Sequence, residues 1–133
     1  MRGFSYILAA FLVLTCYSCT TKQEKQPNYV IIMVDDMGYA DIGCYGAVEI
    51  ETPQIDKIAG EGIMMRHFYN TAKCHSSRVS LLSGLWCNQA GNSSLRNAVT
   101  FPQVLQQAGY HTGMTGKWHL VKNPLDWGFD KYF

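Results

Sequence analysis

A chain of 133 residues with a formal net charge of +1, 47% apolar and 16% charged residues, allows one small globular domain at most. That balance excludes an intrinsically disordered chain, and with no basic cluster it gives no reason to expect a nucleic-acid partner. Neither an internal repeat nor a low-complexity tract interrupts the sequence.

The chain opens on a leader. Arg2 supplies a positive start, and Phe4 to Leu14 is an apolar run too short to span a bilayer, which reads as the core of a signal peptide. Cys19 follows the small Ser18 and precedes a polar stretch, an arrangement that resembles a bacterial lipoprotein signal whose cysteine is acylated. Cleavage near Ser18 without lipid is the alternative, and Cys16 fits the small-residue rule less well. Residues 1–19 are therefore expected to be a signal peptide with a lipobox, and 20–28 a polar tether containing Pro27. This predicts an exported protein, periplasmic or anchored at a bacterial outer membrane, that touches the membrane only through its lipid. Three cysteines remain, Cys44, Cys74 and Cys87; an oxidising compartment permits a disulfide, but an odd count leaves at least one thiol unpaired.

Tyr29 to Val34 is a continuous apolar run rich in β-branched residues and predicts a strand buried on both faces. It ends in Asp35-Asp36-Met37-Gly38, with Gly38 expected to help the chain turn. Thr52 as cap and Pro53 in the first turn predict a helix carrying Ile55, Ile58 and Ala59 on one face and ended by Gly60 and Gly62. Ile63 to Tyr69 predicts a second strand. Ser76 or Ser77 is the expected cap of a helix through Val79, Leu81 and Leu82 to Gly84, and Thr100 the cap of one whose apolar face is Phe101, Val104, Leu105 and Ala108. Tyr110 to Thr115 predicts a third strand. Strands alternating with helices argue for an α/β sheet, in which ligands sit beyond the carboxyl ends of the strands. Asp35-Asp36 and Lys117/His119 both fall there.

Adjacent carboxylates raise one another's pKa unless a cation neutralises them, and both converge only where the chain turns. A hard divalent ion such as Ca²⁺ suits such a pair; a solvated Asp-Asp turn is the plainer reading. Cys74 lies just before a predicted helix, where backbone N–H groups favour an anion, and Arg78 stands one turn further on. Lys117 and His119, two apart, project to the same side of an extended segment and offer a point charge and a titratable donor to a tetrahedral anion.

Together these stretches resemble the sulfatase family. Cys74-His75-Ser76-Ser77-Arg78, followed by Leu81-Leu82-Ser83-Gly84, resembles its first signature, with Ser76 where that signature has proline. Gly109-Tyr110-His111-Thr112, followed by Gly116-Lys117-Trp118-His119, resembles the second. Tyr29 to Gly46 resembles the opening strand with its Asp-Asp, Gly-Tyr-x-Asp and Tyr-Gly pattern, and Thr52-Pro53-Gln54-Ile55-Asp56 the Thr-Pro-Asn-Ile-Asp segment, with Gln54 in place of asparagine. The resemblance implies a partial alkaline-phosphatase-like α/β sandwich with a mostly parallel central sheet flanked by helices, and makes 29–133 the amino-terminal part of a longer sulfatase domain.

It also implies a sulfuric ester hydrolase of arylsulfatase type acting on sulfate esters, with sulfated carbohydrates the expected substrates. Cys74 would be oxidised by a formylglycine-generating or anaerobic maturation enzyme, and Asp35, Asp36 and the converted Cys74 would bind Ca²⁺, with Mg²⁺ as the other candidate. Arg78 would hold the formylglycine hydrate, Lys117 would bind sulfate oxygens, and His119 would orient the hydrate or move a proton. A phosphonate or phosphate monoester hydrolase on the same scaffold, or a truncated binder of sulfated ligands, remains the alternative. If a disulfide forms, Cys44 and Cys87 are the expected pair.

Overall fold

The structure is a computed structural model that describes residues 25–133. The expected signal peptide with Cys16 and Cys19, and the first part of the expected tether, therefore lie outside the described residues. The chain divides into two units, Met1–Met33 and Val34–Phe133, and every candidate site residue except Cys19 belongs to the second. Among the described residues no helix is long and apolar enough to cross a membrane.

Three helices form where the start and stop signals stand. Helix α1 is Pro53–Glu61, with Pro53 in its first turn and Gly62 after its end. Thr52 holds the cap position, but its hydroxyl donates to the Asp56 carboxylate (3.0 Å) and accepts from Gly43 N–H (2.8 Å) instead of bonding the helix backbone. Helix α2 is Cys74–Ser83, ended by Gly84 in the left-handed conformation at φ +68°. It starts earlier than the serines suggest. Ser77 lies inside its first turn, where the hydroxyl bonds back to the carbonyls of Thr71 and Lys73 and so fastens the segment leading into Cys74. Helix α3 is Phe101–Gln107, and the Gln103 side chain accepts the Thr100 N–H across its first turn.

The predicted strands shrink. Residues 25–34 carry no regular structure, and Val30 and Ile32 are exposed. Residues 63–69 form no strand either. The third survives as β1, Gly113–Met114, which pairs in parallel with β2, Lys131–Tyr132, in the register Gly113↔Lys131 and Met114↔Tyr132. An apolar run becomes a central strand only when neighbours supply ladder hydrogen bonds at its edges. Among the described residues β1–β2 is the one ladder, so the expected mostly parallel sheet is represented here by two strands.

The core is a cluster of Val79 and Leu82 from α2, Ala90, Leu95, Trp118, Trp127 and Phe129, with Phe101 packed against it. Phe129 meets both Phe101 and Trp118 edge-on, at centroid separations of 6.4 and 6.1 Å. The Ile55/Ile58 face of α1 stays exposed.

Polar latches hold the second signature to this core. Thr112 donates its N–H to Asp130 (2.7 Å) and its hydroxyl to the Gly128 carbonyl (2.6 Å), while the Gln106 amide donates to Asp130 (2.7 Å). These hydrogen bonds hold the Asp130 carboxyl below the usual carboxylate range, the Thr112 N–H contributing most. They fix the segment leading to Lys117.

Candidate active site

Three pieces of chain meet at the site. The first is the Asp35-Asp36 turn. Asp36 takes the left-handed conformation at φ +56°, and this reversal lets two successive carboxylates face one place; Gly38, at φ −87°, does not make the turn. The chain then winds through 3₁₀ turns at Tyr39–Asp41 and Gly43–Tyr45. Those turns are tied to α1, because Asp56 accepts the Cys44 N–H (2.7 Å) while Thr52 accepts that of Gly43. A Cβ at Gly43 would lie 2.5 Å from Asp56 Oδ2 and would push that carboxylate off its hydrogen bonds. Asp56 thus secures the turn that follows the acidic pair, a role its place in the Thr-Pro-Gln-Ile-Asp segment could have suggested.

The second piece is the start of α2. Cys74 is the first helical residue, half-buried, and ligand atoms of Asp35, Asp36 and Cys74 all lie within 4.8 Å of one another. Arg78, one turn on, is 8% exposed. Its Nη1 donates to the Lys117 carbonyl, its Nη2 lies 3.7 Å from Asp35 Oδ1, and its Nε is buried with no partner among the described residues.

The third piece is the Gly116–His119 turn. Trp118 is buried against Phe129, and its indole N–H donates to the Lys122 carbonyl (2.9 Å). Its neighbours Lys117 and His119 are both exposed. With Trp118 buried between them, they show the alternation of a segment whose first and third side chains share a side. Left-handed residues bound the segment, Gly116 at φ +90° and His119 at φ +60°. Lys117 reaches the site, its Nζ 2.5 Å from Asp35 Oδ2. His75, beside Cys74 in the first turn of α2 and missed in the sequence, meets the ring of His119 edge-on at 6.4 Å.

The Lys117 ammonium hydrogen-bonded to Asp35 holds that carboxyl below its usual range, and the charges of Lys117, Arg78 and His119 add to the effect. The same hydrogen bond raises Lys117, assisted by the charges of Asp35 and Cys74. Cys44, Cys74 and Cys87 are all free; the expected Cys44–Cys87 pair is not formed, and Cys87 Sγ lies 3.8 Å from Asn92 Oδ1.

The sequence model of the family described as Sulfatase matches residues 27–133. The chain belongs to the sulfatase family. It is 40% identical over 131 residues to the N-acetylglucosamine-6-O-sulfatase of Bacteroides thetaiotaomicron, covering 94% of this chain and 23% of that protein. Against human arylsulfatase G the identity is 41% over 147 residues, covering 98% and 27%. A solved structure described as being in complex with its substrate D-glucosamine-2-N,6-O-disulfate superposes with a TM-score of 0.75 at 40% identity, over 81% of this chain and 23% of that one. The alkaline-phosphatase-like α/β class is thereby shown for the part present. The chain spans about a quarter of the length of the curated relatives it matches.

Proposed function

We propose that the chain carries the cation- and sulfate-holding part of a sulfuric ester hydrolase of arylsulfatase type, active on sulfated carbohydrates. The observation that carries this reading is the convergence of Asp35, Asp36 and Cys74 with Arg78 and Lys117 in one site. The named activities of the Bacteroides relatives, on 6-O-sulfated amino sugars, favour carbohydrate esters. So does the disulfated glucosamine bound by the structural neighbour.

The residues present fit a hard cation. Two carboxylates supply oxygens that suit Ca²⁺ or Mg²⁺, whereas a thiolate at position 74 is soft and suits either poorly, so oxidation of Cys74 to formylglycine completes the match. Asp35, Asp36 and the converted residue 74 would hold the ion, which supplies Lewis acidity toward the sulfate oxygens. The formylglycine hydrate, made by a maturation enzyme, supplies the hydroxyl for attack on sulfur.

The other roles fall to the chain's own groups. Arg78, whose Nη2 lies 3.7 Å from Asp35, would hold the formylglycine hydrate. Lys117 neutralises Asp35 in the structure described, and its ammonium would bind sulfate oxygens and stabilise charge as the ester bond breaks. His119 moves the proton that the leaving alcohol needs. Overall the ester takes up one water, giving the free hydroxyl and sulfate. Ser76, in place of the signature proline, favours a second reading, an unconverted chain that only binds sulfated ligands.

Calorimetric and thermal-shift titration with Ca²⁺ tests the cation site without relying on turnover. Binding to the wild-type chain should raise its melting temperature, and Asp35→Asn or Asp36→Asn should abolish the rise. An equal response in all three proteins refutes the assignment.

A further inference from the structure

Beside the site just described lies an open groove of about 810 Å³, a volume within the range of small-molecule pockets, and nothing in the reaction above uses it. It runs between the first turn of α2 and the 86–92 loop, and His75 lines it while also meeting His119 edge-on. The groove therefore adjoins the place where a sulfate would react.

Its lining has a consistent chemistry. Trp86 is 68% exposed, whereas Trp118 and Trp127 are buried in the core, so one large aromatic face stands open here. Three side-chain amides surround it. The Asn88 oxygen accepts the Gln89 N–H (2.9 Å), the Gln89 oxygen accepts the Trp86 N–H (3.2 Å), and the Asn92 oxygen faces the Cys87 thiol. Backbone N–H donors fix which end of Asn88 and Gln89 is the oxygen. The acceptor ends are thus engaged locally, and the NH₂ ends, with two donors each, have no hydrogen-bond partner among the described residues. Lys73 adds an ammonium group that forms no ion pair among the described residues.

An aromatic face, a surplus of donors and a positive charge complement a ligand with a flat apolar face, many oxygen acceptors and negative charge. A sulfated pyranose has all three. We propose that this groove is a saccharide subsite, in which Trp86 stacks on the sugar ring while Asn88, Gln89, Asn92 and Lys73 donate to its oxygens. This assignment rests on the sulfatase reading of the neighbouring site and names which part of the substrate that reading leaves unplaced.

The test is saturation-transfer NMR with D-glucosamine 6-sulfate on the full chain in the presence of Ca²⁺. In the wild type the pyranose ring protons should receive saturation. Trp86→Ala should weaken binding roughly threefold to tenfold and remove ring saturation, and Trp86→Tyr should retain most of both. Because Trp86 is mostly exposed, the substitution leaves the core cluster in place, which circular dichroism checks. Lys117→Ala reads the neighbouring site separately. Weakening by Lys117→Ala with no change in Trp86→Ala overturns the groove and leaves the sulfatase reading standing. The reverse pattern supports the groove and removes the sulfate site from Lys117. Absence of ring saturation in the wild type overturns the subsite outright.

Discussion

Replacing Arg78 by Met keeps a long apolar stem against the core and removes the guanidinium. In the structure that group joins two signatures, since its Nη1 bonds the Lys117 carbonyl from a side chain that is 8% exposed. A hydrogen bond from a charged donor contributes about 1.5–3 kcal/mol to stability. The second contact, 3.7 Å to Asp35, adds little, because the Asp35 carboxylate is open to solvent, which screens the pair. The expected loss is therefore about 1.5–3 kcal/mol, and each kcal/mol lowers the melting temperature by roughly 4–8 °C in a domain of this size. Urea denaturation of the wild type, Arg78→Met and Arg78→Lys provides the assay. Arg78→Lys keeps the charge without the forked geometry and should fall between the other two. An unchanged midpoint and slope in Arg78→Met would refute the argument that the guanidinium pins the Gly116–His119 turn to α2.

The pH dependence at Asp35 has a definite sign. Its folded-state carboxyl lies below the ordinary value of 3.8, so its contribution is present above that value and is lost as the pH falls through the folded-state midpoint. Carboxyl NMR titration should place that midpoint below 3.8 in the wild type and higher in Lys117→Ala; identical midpoints contradict the pairing. Gly128→Ala should destabilise by about 1–3 kcal/mol, because φ is +90° there and a Cβ would overlap the Gln103 backbone nitrogen. A melting temperature equal to that of the wild type would show that α3 moves aside freely. Cys19→Ser should shift the protein from the membrane to the soluble fraction of a bacterial host, and a wild type already found entirely in the soluble fraction rules out the anchor.

Local signals in the sequence located the helices well. Pro53, Gly62, Gly84 and Thr100 act on their own few neighbours, so their meaning survives without tertiary context. The start of α2 was misplaced because Ser76 and Ser77 read as caps, whereas the Ser77 hydroxyl bonds backward to Thr71 and Lys73 from within the helix. Strands need partners, and the apolar content of Tyr29 to Val34 or Ile63 to Tyr69 says nothing about which ladder is available.

The acidic pair, Cys74, Arg78 and Lys117 were all legible through their motifs, and the structure brings them together. The turn of the acidic pair was not legible, because it uses left-handed backbone at Asp36, a residue that carries no glycine signal. Nothing in the first signature singles out His75, and its approach to His119, far along the sequence, is a tertiary contact that no local pattern carries.

Trypsin should release Cys74-His75-Ser76-Ser77-Arg78 as a single peptide, since Lys73 precedes it and Arg78 ends it. Its mass, measured on protein made in a host that holds the maturation enzyme, decides whether residue 74 is a hard oxygen ligand and nucleophile or a plain thiol. A sulfatase site predicts a population in which residue 74 has lost its sulfur and gained an oxygen, and which reacts with an aldehyde-specific hydrazide. A peptide that is wholly unmodified and alkylates quantitatively at Cys74 would contradict it.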